Sequence, residues 1–349
     1  MNNILLIRTD RIGDVVLTTP AIHALRLRYP QSKISILVSS GTVDLVKGNP
    51  DLDDVLVDDR RGRHKGFKGF WRLVFEVRAR QFDTVVNFHT KRRTNVLCAL
   101  AGIPRRIGYG SNKFGFLLNE RVPDARPRGL KHEAQYCLDL LTSLGVEGGE
   151  LKPVVPVQAE AEQWAEKFFA RFDVGDPDFK FVVVHPGASC PTKRWPVEYF
   201  ARVISQMDDR RRTFFIVIGT ADQDDLVLSL WSQAGRDRLI YDLTGQTTLA
   251  QTVSLLKRCN LLISNDSGPV HLAAAFDRPV VSIFTRNQPG INPERWRPLG
   301  PNSVCVAPPV DLTVSFAKGE VGERDFLFRV TPEQVLSAVD TFAAFRLHS

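Results

Sequence analysis

Short apolar runs alternating with amphipathic stretches, twice over, constrain this chain more than any other feature. Ile4–Arg8 has strand length, and Asp14–Tyr29 shows an apolar helical face through Val15, Ile22 and Leu25. Lys33–Val38 is the next strand. Pro20 falls inside the helical stretch, so a kink or restart is expected there, and Pro30 closes it. Such a strand–helix–strand unit is parallel and right-handed. Val85–Phe88 and Ile107–Gly108 read as later strands of the same sheet, and His132–Leu144 as a helix. Pro153 and Pro156 then mark a short extended linker. After a helix over Ala159–Arg171, the second series has strands at Phe181–His185, Thr213–Gly219, Leu239–Leu243, Leu261–Ser264 and Val280–Phe284. The helices between them are Val197–Met207, Asp224–Gln233, Leu249–Arg258 and Gly268–Phe276, and a last helix runs from Pro332 to Phe345. The expectation is an α/β chain of two Rossmann-like domains, residues 1–155 and 156–349, facing each other across a cleft. Ligands in such sheets sit beyond the carboxyl ends of the strands.

Composition narrows the function classes. With 43% hydrophobic residues and a net charge of +7 over 349 residues, the chain is too apolar and too weakly charged to be chiefly disordered. Its apolar runs are far shorter than a membrane span, and Arg8, Asp10 and Arg11 follow Ile4–Ile7 too soon for a secretory signal. Cys98, Cys137, Cys190, Cys259 and Cys305 are scattered, which suits reduced thiols and gives no zinc pattern. The charge is uneven. Residues 1–150 hold 24 Lys+Arg against 16 Asp+Glu, a net of +8, so the remainder is net −1. Eleven basic and two acidic residues lie between Arg60 and Arg93, interleaved with Phe67, Phe70, Trp71 and Phe75. Such a segment concentrates anions, whether nucleic acid, an anionic membrane face or a phosphorylated glycolipid. The plainer reading is a solvated face with its aromatics turned into the core.

Three motifs fall at strand-to-helix turns. Arg8-Thr9-Asp10-Arg11-Ile12-Gly13-Asp14 follows the first strand; Gly13 allows a tight turn, and Asp14 is either a helix N-cap or a general base, with spacing alone favouring the cap. His185-Pro186-Gly187-Ala188-Ser189-Cys190-Pro191-Thr192-Lys193-Arg194-Trp195-Pro196 offers the hydroxyls of Ser189 and Thr192 and the charge of Lys193 just before a helix. It is either a phosphate cradle or an exposed basic turn. Ser264-Asn265-Asp266-Ser267-Gly268-Pro269-Val270-His271 ends a strand and opens a helix, and the N–H groups of Ser267 and Gly268 suit a diphosphate. Asp266 is an odd companion for phosphate unless it binds a sugar hydroxyl or positions a cation such as Lys193. His271 is either a structural or a cleft-facing histidine. A fourth turn, Gly219–Asp225, carries carboxylates that suit a ribose or simply complement a helix dipole. Neither G-x-G-x-x-G nor G-x-x-x-x-G-K-[ST] occurs at the first strand, which disfavours a dehydrogenase or P-loop NTPase.

In this order and at these distances, the three motifs resemble those of the bacterial lipopolysaccharide heptosyltransferases, inverting glycosyltransferases of the GT-B fold. The resemblance covers most of Met1–Phe284. It implies a metal-independent enzyme that needs no cofactor and moves a sugar, most simply heptose from ADP-heptose, to a lipopolysaccharide core or related glycan. It implies Asp14 as catalytic base and Lys193 as the cation that neutralises the leaving diphosphate. Ser189, Thr192, Thr247, Asp266, Ser267, Gly268 and His271 fall in the implied donor site, with Asp224 as the ribose-binding acid in a register shared with Asp222 and Asp225. Arg11, Gly13, Arg60, Arg61, Arg63 and Lys65 fall to an anionic glycolipid acceptor. The implied place of work is the cytoplasm, at the inner face of the membrane, with no nucleic-acid partner. Thr285–Trp296 departs from the family pattern, where many members have a Gly-Pro-Thr-Asp-Pro turn. A nucleotide-sugar epimerase or hydrolase of the same fold, or a non-catalytic glycan- or anion-binding relative, would share much of this pattern.

Overall fold

The computed structural model describes residues 2–89, 91–111, 114–172, 179–207, 213–221, 224–234, 239–310 and 324–345, without the side chains of 224–228 and 324–325. The chain divides into two compact units, Met1–Pro156 and Val157–Ser349.

The first unit holds β1 (Asn3–Arg8), α1 (Ile12–Val16), α2 (Thr19–Arg28), β2 (Lys33–Ser39), β3 (Asp54–Asp58) and α3 (Gly66–Ala79). These are followed by β4 (Thr84–Asn87), α4 (Arg92–Leu100), β5 (Arg105–Tyr109), β6 (Glu120–Val122) and α5 (Glu133–Asp139). The strands pair in parallel in the order β3-β2-β1-β4-β5-β6. Ile4, Leu5, Leu6 and Ile7 of β1 have no exposed surface, as expected of a central parallel strand covered on both faces. One face carries α3 and α4, through Leu73, Val74, Val77, Leu97 and Cys98 packed on Leu5, Ile7, Leu37 and Val85.

The second unit holds α6 (Ala159–Ala170), β7 (Lys180–His185), α7 (Val197–Gln206), β8 (Thr213–Val217), α8 (Asp224–Ala234), β9 (Leu239–Asp242) and α9 (Leu249–Arg258). Then come β10 (Leu261–Asn265), α10 (Gly268–Ala275), β11 (Val280–Ile283), α11 (Pro293–Trp296), β12 (Ser303–Val306) and α12 (Pro332–Asp340). Its parallel sheet runs β12-β11-β10-β7-β8-β9, which is the order of the first sheet read from the other edge. α12 adds Val335 and Val339 to a core with Trp195, Phe200 and Val281. In each sheet the chain reverses its direction of growth beside the first strand, between β1 and β4 and between β7 and β10. Loops diverge at such a point and leave a crevice, the preferred ligand position of open parallel sheets.

Pro20 acts as a restart rather than a kink. α1 stops at Val16, and Pro20 sits in the opening positions of α2, where its missing N–H costs nothing. The helix expected over His132–Leu144 ends early at Asp139, and Thr142–Leu144 tightens into a 3-10 turn that closes on left-handed Gly145. The last helix likewise ends early, at Asp340, before a 3-10 turn over Ala343–Phe345.

Candidate functional site

At the second unit's crevice, β7 ends on His185 and β10 on Asn265. Asn265 is fully buried and clamps the loop after β7: its Oδ1 accepts from Trp195 N at 3.0 Å, and its Nδ2 donates to Pro186 O at 2.7 Å. This holds Lys193 beside α10. The Lys193 ammonium pairs with the Asp266 carboxylate and donates to Asp266 O at 3.4 Å. Asp266 is therefore the counter-ion that positions Lys193. His185 Nδ1 lies 3.2 Å from Ser264 Oγ and 3.0 Å from Ser267 Oγ. Burial pushes the His185 ring down to about 4, so it is neutral at physiological pH. Ser267 stands at the N-cap of α10, yet its side chain makes no capping hydrogen bond. Its hydroxyl is engaged by His185, so it does not cap the first turn. Positive helix-end potential and an ammonium thus meet at one spot.

The other donor-site candidates divide. Gly268 begins α10, and His271 lies within it, 3% exposed. Thr192 Oγ1 is 3.0 Å from Cys190 Sγ, and Thr192 O accepts from Thr285 at 2.8 Å, which anchors the departing Thr285 segment to this loop. Ser189 is exposed. Thr247 precedes α9 and shares a hydroxyl contact with Thr252 at 3.0 Å. Asp222, and the side chains of Asp224 and Asp225, lie outside the described residues.

The first unit's crevice centres on Arg8, a residue given no role by sequence. Its guanidinium, 2% exposed, reaches Asp14 Oδ1 at 2.5 Å, Asp10 Oδ1 at 3.0 Å and Glu133 Oε1 at 3.0 Å. Burial opposes the Arg8 charge, but Asp10, Asp14, Cys137 and Glu133 together more than offset it. The capping alternative for Asp14 is overturned. Arg11 is the N-cap residue, Asp14 sits in the first turn, and its carboxylate turns to Arg8. Gly13 is buried within α1 and not left-handed, so it supplies small size rather than a special turn. Burial raises the Asp10 carboxyl to about 6; Arg8 opposes this and Asp14 adds to it. His89, 3.0 Å from Thr9 Oγ1, is pushed down to about 3 by burial and by Arg8 and Lys91. Arg8, Asp10 and Glu133 form the part of the site that sequence reasoning missed. Arg8 and Asp10 stood in the first motif; Glu133 is 125 residues away from Arg8 and had no local signal.

Among the basic candidates, Arg60 is brought to this end of the sheet. Its Nη2 donates to Thr9 Oγ1 at 3.2 Å and its Nε to buried Asp58 at 2.8 Å. Arg93 clasps the same carboxylate with two bonds, at 2.8 and 3.0 Å. Arg63 turns instead to Glu76 of α3 at 2.5 Å, while Arg11, Arg61 and Lys65 are exposed. The plainer reading of the aromatics is corrected: Phe70 and Trp71 pack on the core, but Phe67 and Phe75 are 77% and 61% exposed, because helical spacing puts them on the outer side of α3. Among the described residues, no cluster of His, Cys, Asp or Glu is placed to hold a metal ion, and no helix is long and apolar enough to cross a membrane.

The sequence matches Glycosyltransferase family 9 (heptosyltransferase) over residues 70–320. The chain belongs to that family. Lipopolysaccharide heptosyltransferase 2 of Escherichia coli is 23% identical over 354 residues, 97% of each chain. The solved family 9 glycosyl transferase of Veillonella parvula superposes with a TM-score of 0.83 at 26% identity, covering 97% of this chain and 96% of that one. The E. coli ADP-heptose lps heptosyltransferase II structure gives a TM-score of 0.76 at 22% identity, with 98% of each chain covered. The two α/β units are thus those of the GT-B fold, and the protein is a glycosyltransferase of the heptosyltransferase family.

Proposed function

We propose that the protein transfers a heptose from ADP-heptose to the core of a lipopolysaccharide, with inversion at the anomeric carbon. The observation that carries the reading is the β7–β10 crevice, where Lys193 is held against the uncapped start of α10. An ammonium beside helix-end N–H groups matches a diphosphate. The named activity of the similar E. coli enzyme supports ADP-heptose as donor.

In this reading the donor diphosphate takes Lys193 over from Asp266 in whole or part, and its charge rises as the sugar bond breaks. Lys193 and the first turn of α10 meet that charge without a metal ion. Asp14 accepts the proton of the attacking acceptor hydroxyl, and the nucleoside diphosphate leaves from the opposite face. Arg8 holds the Asp14 carboxylate in one orientation. Arg60, with Arg11, Arg61, Arg63 and Lys65 around it, binds an anionic glycolipid acceptor. The protein works at the cytoplasmic face of a membrane that carries this acceptor.

The test is nucleotide release from ADP-heptose, with and without lipopolysaccharide acceptor, in the presence of a chelator. Release that requires acceptor, with the new linkage inverted, is expected. Turnover of donor alone would mark a hydrolase or epimerase, and no release with any core acceptor would sink the reading.

A further inference from the structure

We propose that the outer face of α3 is a membrane-docking surface that inserts Phe67, Trp71 and Phe75 into the interface of an anionic phospholipid bilayer. The three residues are spaced four apart, so they form one stripe along the helix. Phe67 and Trp71 meet edge-on with ring centroids 6.2 Å apart, and Trp71 and Phe75 lie 5.9 Å apart. Phe67 is 77% and Phe75 61% exposed, although both are large and apolar. The opposite side of the same helix is satisfied, with Leu73, Val74 and Val77 buried in the core. Phe67 and Phe75 are therefore not needed to hold the helix in place, while half-buried Trp71 between them also touches the core.

Its surroundings say what covers it. With Lys68, Arg72, Glu76 and Ala79, the aromatics line an open groove of about 650 Å³. Lys65, Lys68, Arg72 and Arg78 are exposed on or beside α3, and Arg61 and Arg63 precede it. Glu76, the one acid on the helix, is matched by Arg63 at 2.5 Å and by His64 at 3.3 Å. The face is thus cationic around an apolar aromatic strip. Trp and Phe favour the headgroup boundary, and lysine and arginine beside them favour anionic lipid. A protein partner would need its own complementary acids, whereas an anionic bilayer supplies apolar depth and negative charge together. The inference rests on the proposed function only in setting the acceptor in a lipid layer.

The experiment uses the full chain and vesicles of phosphatidylcholine, with or without phosphatidylglycerol. Binding is measured by sedimentation, and contact by quenching of tryptophan emission with brominated acyl chains. Wild type should bind the anionic vesicles and be quenched; Trp71→Phe should bind but lose most of the quenching. The triple change Phe67→Ser, Trp71→Ser and Phe75→Ser should weaken binding by about ten-fold or more. Lys68→Gln and Arg72→Gln should each weaken it by roughly five-fold. Unchanged thermal unfolding of each variant shows that the fold is kept. The idea is overturned if the triple variant binds as wild type does, if Trp71→Phe is quenched equally, or if the aromatics prove to join two copies of the chain while vesicles are ignored. Transfer to a delipidated acceptor separates the two readings. Transfer without vesicle binding removes only the docking surface; vesicle binding with no transfer to any acceptor removes only the proposed reaction.

Discussion

Replacing Arg8 by methionine should expose how much of the first unit rests on one guanidinium. Arg8 is 2% exposed and faces three carboxylates. Asp10 and Asp14 are 20% and 16% exposed, so water can reach them once the cation has gone. Glu133 is 1% exposed and cannot be relieved in that way. Removing one member of a buried ion cluster costs about 3–5 kcal/mol, and most of it should fall on Glu133. Pairing Arg8→Met with Glu133→Gln removes the stranded charge and leaves only a polar amide, a cost of about 1–3 kcal/mol. The double variant should therefore recover about 2 kcal/mol over Arg8→Met alone. Urea unfolding of wild type, both single variants and the double variant gives the coupling, with the two units fitted as separate transitions. An Arg8→Met chain within about 1 kcal/mol of wild type would refute the reasoning, as would a double variant no more stable than that single one.

Three further outcomes follow from the same geometry. Asp14→Ala should lower kcat by about 10²–10⁴-fold while leaving ADP affinity unchanged, as measured by nucleotide release and calorimetry. The stability of Asp10→Asn relative to wild type should be lowest near pH 4 and rise as pH increases to about 6. The wild-type Asp10 carboxyl, raised to about 6, favours the folded state most at low pH and less as pH rises through that value. Buried His89 and His185, both lowered, act with the opposite sign, so the comparison is thermal unfolding of variant against wild type at each pH. Lys193→Gln should weaken ADP binding by about ten- to a hundred-fold, the worth of one charge-assisted hydrogen bond, and calorimetric titration reads it directly.

Much of this was legible in the sequence because local pattern and global fold agree. The buried strands β1, β7 and β10 are continuous apolar runs, and each ends in a polar turn that carries a motif. β3 and β12 were not legible. β3 is a five-residue edge strand framed by Asp54 and Asp58, and β12 has only four residues. α3 was hidden inside the basic segment, where charge drew attention from spacing; its Leu73, Val74 and Val77 core face and its Phe67, Trp71 and Phe75 outer face are both helical. The Lys193–Asp266 pairing was foreseeable because both ends lay in motifs. The Arg8–Glu133 contact was not, since only folding brings α5 to the end of β1. Asp14 shows the limit most clearly. Spacing made it a cap, and only the buried arginine six residues earlier explains where its carboxylate goes.

A structure of the chain with bound ADP decides whether the β7–β10 crevice is the donor site. The diphosphate should lie at the carboxyl ends of β7 and β10, within hydrogen-bond reach of Lys193 Nζ and the first-turn N–H groups of α10. A nucleotide seated away from those strand ends, with Lys193 still on Asp266, would show that the crevice is not the donor site.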